Sequence, residues 1–166
     1  MELAKARSDP PSAWRIDKLK WASQSFSGNG AALEGGRWNP PHARVIYLSE
    51  HLSMAAMEKL VHLPKPLSAR VAFVKIPVWF DPGLVEKWDV ETLPENWMVK
   101  PVPASTQRLG ATWLREQRSA ILQVPSAIIS LENNFLLNPL HPDFSRIKIG
   151  KPEPFAFDPR LLIVEQ

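Results

Sequence analysis

The sequence predicts a mixed α/β (α+β) fold in a single domain. The chain has 166 residues, 45% hydrophobic and 22% charged, enough apolar material for one buried core and too ordinary a balance for wholesale disorder. Seventeen prolines cut it into short elements joined by rigid turns and disfavour a bundle of long helices. Strand-like runs and amphipathic stretches are interspersed without regular strand–helix–strand alternation, and no repeat or linker divides the chain into halves. Residues 1–12 read as an N-terminal tail and 13–166 as the domain.

The elements follow in order. "AWRI" (13–16) reads as a short strand, and "SGNGAALEGG" (27–36) as a glycine-rich loop. "ARVIYLS" (43–49) reads as a buried strand, with Val45 and Tyr47 on one face and Ile46 and Leu48 on the other. "SMAAMEKLVHL" (53–63) has helical spacing, with Ser53 or Ser49 as N-cap. Leu52, Ala55, Ala56, Leu60 and Leu63 form its apolar stripe, and Met54, Glu58 and His62 a second stripe. "ARVAFVKIPVWF" (69–80) is the strongest strand pattern, with Pro77 marking a bulge or sheet edge.

Residues 81–104 hold prolines 82, 94, 101 and 103 and read as an irregular crossover. "STQRLGATWLREQRSAIL" (105–122) reads as a helix capped by Ser105 or Thr106, with Leu109, Trp113 and Leu114 inward. "VPSAIISLENNFLLNP" (124–139) reads as two strands around a turn near 132–134, and "FAFDPRLLIV" (155–164) as a last strand.

The formal charge is +3 with pI near 9.3, and the basic residues are scattered. That balance suits an anionic small molecule or an acidic partner as well as a nucleic acid. The absence of cysteine excludes disulfides, thiolate nucleophiles and zinc-thiolate sites, and suits a reducing cytoplasm. No run approaches the ~18 apolar residues of a membrane span, and "MELAKARSDPP" lacks the apolar core of a signal peptide. A soluble cytoplasmic protein is expected, with no membrane partner.

No Walker loop, G-x-G-x-x-G opening a helix, or G-x-S-x-G elbow is present. Histidines 42, 51, 62 and 141 form no metal signature, so no metal is expected. Arg37 follows two glycines that let backbone approach a ligand, and its forked donors match phosphate oxygens. It also suits an ion pair with Glu34. Tyr47 is either a core residue with a satisfied hydroxyl or a ring that stacks on ligand. Glu58 is either a solvated helix carboxylate, paired with His62 at i,i+4, or a site residue. Ser126, after Pro125, suits a turn cap.

Taken together, "GGRWN", "VIYLSE", "AAMEKLVH", "VPSAIISLENNFLLNP", "HPDF" and "FDPRL" resemble the RES domain, a family named for an Arg, a Glu and a Ser. The resemblance runs from "WRI" at 14–16 to "FDPRL" at 157–161, nearly the whole chain. It places the named triad on Arg37, Glu58 and Ser126, with Tyr47 as the accompanying aromatic and Arg15 as a further basic residue at the pocket. It implies a fold similar to ADP-ribosyltransferases and a toxin of a bacterial toxin–antitoxin pair that consumes NAD+ as a substrate, with no cofactor. The partner it implies is an Xre-like helix-turn-helix antitoxin that covers the active site, DNA being contacted only through that antitoxin.

The implied chemistry is cleavage of the nicotinamide–ribose bond, with Glu58 stabilising the oxocarbenium-like cation. Arg37 and Arg15 would bind phosphate, Tyr47 would stack on nicotinamide or hold the ribose, and Ser126 would position substrate. Water, phosphate or a protein side chain would complete hydrolysis, phosphorolysis or ADP-ribosyl transfer. From another class, pI and seven tryptophans suit a non-enzymatic or RNA-directed nucleic-acid-binding module, and a silent antitoxin-binding protein is a third alternative.

Overall fold

The computed structural model describes residues 9–65 and 71–162. Its strands are β1 (Ala13–Lys18), β2 (Ile46–Ser49), β3 (Phe73–Trp79), β4 (Val85–Lys87), β5 (Ile121–Pro125), β6 (Asn133–Leu137), β7 (Lys148–Ile149) and β8 (Glu153–Phe155). They form one sheet in the order β4-β5-β6-β2-β1-β3-β7, with β8 also paired to β3. Only the β4–β5 pair is parallel among them. Among the described residues three α-helices, α1 (Asn29–Glu34), α2 (Leu52–His62) and α3 (Ala104–Glu116), complete the mixed α/β fold expected from the sequence.

The alternation read in β2 separates two cores. Val45 and Tyr47 pack with Trp38, Trp97, Trp113, Leu122, Val124 and Leu136, whereas Ile46 and Leu48 pack with Val78, Ile121, Phe135 and Leu137. A third cluster lies under α2, where Ala55 meets Ile16, Phe73 and Phe157, with Leu52, Ala56, Leu60 and Leu63 at its margin. The apolar stripe read for that helix is therefore its buried face.

Pro77 sits inside β3, opposite Trp14 of β1. Its carbonyl accepts from Gly150 N at 2.8 Å, so its missing N–H lies on the edge away from β1. There the partner changes from β8 to β7, which leaves a position in the ladder where no donor is needed.

Several boundaries differ from the sequence expectation. The glycine-rich 27–36 segment contains α1, entered from Gly28 in the left-handed region (φ 73°). Helix α2 starts after His51 with no side-chain cap, so neither Ser53 nor Ser49 caps it. Helix α3 follows Pro103 without a side-chain cap, so Ser105 and Thr106 do not cap it either. It stops at Glu116, because Gln117 takes a left-handed conformation (φ 48°) and Ile121, Leu122 and Val124 are buried in the sheet. Pairing with β4 and β6 on both sides outweighs helix propensity there.

Leu109 is 37% exposed instead of inward, while Trp113 is fully buried. The crossover contains the three-residue strand β4, too short to show a period. The β5–β6 turn spans 126–132, earlier than expected, so Asn133 and Asn134 open β6. Near the C-terminus the strand is Glu153–Phe155 and Pro159–Leu161 form a 3-10 turn. The parts of the expected strands at 69–70 and 163–164 lie outside the described residues.

The crossover tryptophans pack on the domain. Trp97 is 5% exposed and stacks on Trp38 at 6.3 Å, and Trp88 meets Trp38 edge-on at 5.9 Å. Gly110 of α3 lets this wall close, since a Cβ there would lie 1.6 Å from the Trp38 carbonyl oxygen. No helix among the described residues is long and apolar enough to cross a membrane.

Candidate active site

Arg37 stands on the turn between α1 and β2, and that turn is built around Tyr47. The Tyr47 hydroxyl donates to Asn39 Oδ1 at 2.6 Å and accepts from Trp38 N at 3.2 Å. Asn39 is fully buried, and its Nδ2 donates to the carbonyls of Ala31, Pro40 and Ala43. Gly36 is required by this packing, because a Cβ there would lie 2.6 Å from the Tyr47 hydroxyl oxygen. Burial pushes the Tyr47 hydroxyl well above its ordinary pKa, with the Trp38 N–H and Arg37 opposing. It stays protonated and remains a donor.

The Arg37 guanidinium uses one nitrogen, Nη1, to donate to the carbonyls of Trp97 and Val99 in the crossover. Glu34, the ion-pair partner open from sequence, is not among its contacts. Burial lowers the Arg37 pKa, while the charge of Glu58 and then Tyr47 act to raise it. Glu58 acts on Tyr47 as well. Arg37, Tyr47 and Glu58 therefore share one electrostatic neighbourhood, although they come from a loop, a strand and a helix.

Glu58 lies half-buried on α2 where the helix passes the β5–β6 hairpin. Its Oε1 accepts from Ser126 Oγ at 2.9 Å and from Asn134 Nδ2 at 2.6 Å. Among the described residues its Oε2 has no hydrogen-bond partner, and it makes no hydrogen bond or ion pair with His62. Ser126 is fully buried and its oxygen accepts from the backbone N–H groups of Ile128 (3.0 Å) and Ile129 (3.4 Å). A hydroxyl has one proton, and here it is directed at Glu58. Ser126 is thus a turn cap and a carboxylate donor at once.

Arg15 lies one layer behind. Its Nη1 donates to the Tyr47 carbonyl at 3.0 Å and its Nη2 to Asp17 Oδ2 at 3.0 Å, while Nε is buried without a partner among the described residues. Asp17 also accepts from Ser25 Oγ, Lys18 N and Lys59 Nζ. Burial works to raise the Asp17 carboxyl, but Arg15, Lys59 and these donors hold it below its usual range. Burial lowers the pKa of both Arg15 and Lys59, and Asp17 opposes this in each. Since Lys59 adjoins Glu58, this cluster ties the helix turn carrying Glu58 to β1.

The structure brings Arg37, Tyr47, Glu58 and Ser126 together, with Arg15 reaching the group through the Tyr47 backbone. Sequence reasoning missed Asn134, Ser49 and Asn39. Asn134 falls in phase with Leu136 and Ser49 in phase with Tyr47, so a polar residue at an inward position was the available signal. Two surface concavities lie elsewhere, about 110 Å³ beside Leu60 and Leu161 and about 310 Å³ beside Trp88 and Arg108. The site is defined instead by its converging side chains. Among the described residues no three His, Cys, Asp or Glu side chains gather to hold a metal.

A mixed α/β domain that fixes one carboxylate beside an arginine and a partly buried tyrosine defines the class. The RES domain family model matches residues 12–158, and the chain belongs to that family. It is 36% identical over 149 residues to "Toxin Res" of Yersinia enterocolitica, covering 89% of this chain and 97% of that protein. It is 33% identical over 159 residues to "Prs ADP-ribosylating toxin" of a Sphingobium species, covering 91% and 96%. A chain in the crystal structure of the M. tuberculosis MbcT–MbcA toxin–antitoxin complex superposes with TM-score 0.67 at 15% identity, covering 93% of this chain and 91% of that one. The fold is thus that of a RES domain, shared with a chain of that complex.

Proposed function

We propose that this protein is the toxin of a toxin–antitoxin pair and that it cleaves the nicotinamide–ribose bond of NAD+. One observation carries the proposal: a carboxylate anchored through Oε1 alone, with Arg37 and Tyr47 in its electrostatic neighbourhood. Relatives named "Toxin Res" and "Prs ADP-ribosylating toxin" support it.

In the proposed reaction the C1′–N bond breaks and its electron pair leaves with neutral nicotinamide, so the departing base needs no metal. The ribosyl cation left behind faces Oε2 of Glu58, which stabilises it electrostatically and accepts from a ribose hydroxyl. An acceptor oxygen then bonds to C1′ and loses its proton. Arg37, held by two carbonyls through Nη1, offers its other N–H groups to the pyrophosphate. Tyr47 contributes its ring and the shape of the Arg37 turn, since its hydroxyl is already paired at both ends. Ser126 acts through Glu58, and Arg15 supports β2 at Tyr47 and contributes positive charge behind the pocket.

Incubation of the purified protein with NAD+ tests the reaction. Nicotinamide should appear, with ADP-ribose if water is the acceptor, its 1″-phosphate if phosphate is, or a mass increase on a protein target if a side chain is. Intact NAD+ under all three conditions would refute the proposal.

The proposed partner is an Xre-like helix-turn-helix antitoxin that covers the site and supplies all DNA contacts. Met98, Val99 and Val102 are 44%, 51% and 38% exposed on the crossover segment that holds Arg37. Apolar surface beside a charged site suits a covering partner. Expression alone should arrest growth and deplete NAD+, and co-expression should restore both. In vitro the antitoxin should raise KM for NAD+; inhibition with KM unchanged would place it elsewhere.

A further inference from the structure

We infer that Asn134, held by Ser49, is a positioning residue that locks the Glu58 carboxylate with Oε2 toward the substrate; this rests on the proposed role of Glu58. Ser49 and Asn134 are direct cross-strand partners in the β2–β6 register, and Val124 is the partner of Asn134 on β5. Residues paired in this way project to the same face of the sheet. One row across the sheet therefore runs Val124, Asn134, Ser49, with Leu122, Leu136 and Tyr47 in the next row. The second row is apolar apart from the tyrosine hydroxyl, whereas the first places two polar side chains side by side at its centre.

Their hydrogen bonds have only one consistent direction. An ionised carboxylate only accepts, so Asn134 must present its amide nitrogen to Glu58 Oε1, at 2.6 Å. Its Oδ1 then faces Ser49, whose hydroxyl donates to it at 2.8 Å. A flipped amide would set two oxygens against each other at Glu58. Ser49 is 3% exposed, so its proton has no competing water, and it holds the amide in the productive orientation.

Two donors, Ser126 at the start of the β5–β6 turn and Asn134 on β6, thus converge on one carboxylate oxygen. With either alone, the carboxylate could pivot about the remaining hydrogen bond. With both, its plane is set and Oε2 has a defined direction, the preorganisation that charge stabilisation in a transition state requires. A side chain that served only to fill the sheet would need no such alignment, and valine or leucine would pack there as well.

The test uses purified full-length protein. Asn134→Asp keeps the size and the acceptor for Ser49 but replaces the donor with a second carboxylate. It should lower kcat on the order of 100-fold, as misplacement of a reacting group does, with KM for NAD+ changed no more than about threefold. Ser49→Ala should give a smaller kcat loss, about tenfold, as expected when a supporting partner outside the first layer is removed. Ser49→Thr should restore most of that loss. A purely structural role would instead lower the melting temperature and leave kcat per folded molecule intact, which would overturn the inference.

A second readout needs no turnover. The Asn134 side-chain amide resonances, identified by their loss in Asn134→Asp, should move in both Glu58→Gln and Ser49→Ala. Resonances unmoved in both would overturn the relay whatever the substrate. An inactive wild-type protein whose resonances do move would instead refute the NAD+ proposal and leave the relay standing.

Discussion

Replacing Tyr47 with phenylalanine removes one oxygen and two hydrogen bonds, and the consequence should be felt at Arg37. Asn39 Oδ1 would lose its donor inside a fully buried side chain, at roughly 1–3 kcal/mol. Trp38 N would lose a longer bond of 3.2 Å, adding roughly 0.5–1.5 kcal/mol. A total near 2–4 kcal/mol corresponds to about 5–15 °C in melting temperature for a chain of this size. Gly36→Ala provides the matching perturbation, since its Cβ would meet the hydroxyl at 2.6 Å and Asn39 Oδ1 at 2.8 Å. That overpacking should cost roughly 1–3 kcal/mol in the wild-type background.

In the Tyr47→Phe background the worst contact is gone, so the same alanine should cost at least about 1 kcal/mol less. Urea denaturation of the four proteins gives the coupling, and kcat/KM for NAD+ at 20 °C gives its effect on the site. Both single variants should lose kcat/KM beyond their unfolded fraction, because the turn they loosen carries Arg37. A Tyr47→Phe melting temperature within about 1 °C of wild type, or equal costs for Gly36→Ala in both backgrounds, would refute the bracing role of the hydroxyl.

Arg37→Ala and Glu58→Gln should each lose at least about 100-fold in NAD+ consumption while melting cooperatively; near-wild-type turnover in either would remove that residue from the site. Asp17→Asn should destabilise by roughly 3–5 kcal/mol at neutral pH, because Arg15 and Lys59 lose the charge that compensates them. The Asp17 pKa is lowered by folding, so its contribution is complete above the unfolded carboxyl value of about 4 and is lost as pH falls through the lower folded value. Urea midpoints against pH should therefore converge for wild type and Asp17→Asn in acid, and a gap that persists unchanged would contradict the assignment. Gly110→Ala should destabilise by at least about 2 kcal/mol despite a gain of about 1 kcal/mol in helix propensity, since the methyl group would occupy the Trp38 carbonyl. A raised midpoint would show that α3 does not press on that wall.

Local pattern was legible wherever one periodicity acted alone. The alternation of β2 and the apolar stripe of α2 both lie where the spacing puts them, because each element buries one face and exposes little choice. It failed where partners decide. "SAIL" continues a helical pattern, yet its last residues enter β5 because β4 and β6 complete their backbone hydrogen bonds. The crossover reads as irregular along the chain, yet its Trp88 and Trp97 pack on Trp38, which lies 50 and 59 positions earlier.

By itself the sequence determined the mixed α/β class, the RES family and the residue types at the site, because composition, period and motif are properties of neighbours along the chain. Only the tertiary structure decided what each of those residues does. Glu58 is a helix carboxylate in sequence and a fixed one in space because Ser126 approaches it from the β5–β6 turn and Asn134 from β6, 68 and 76 positions away. Likewise Tyr47 shapes the Arg37 turn through a hydrogen bond to Asn39, and Arg15 is directed to the Tyr47 backbone across a strand pair. Hydrogen-bond direction and burial are relations between distant segments, and they exist only once the sheet has assembled.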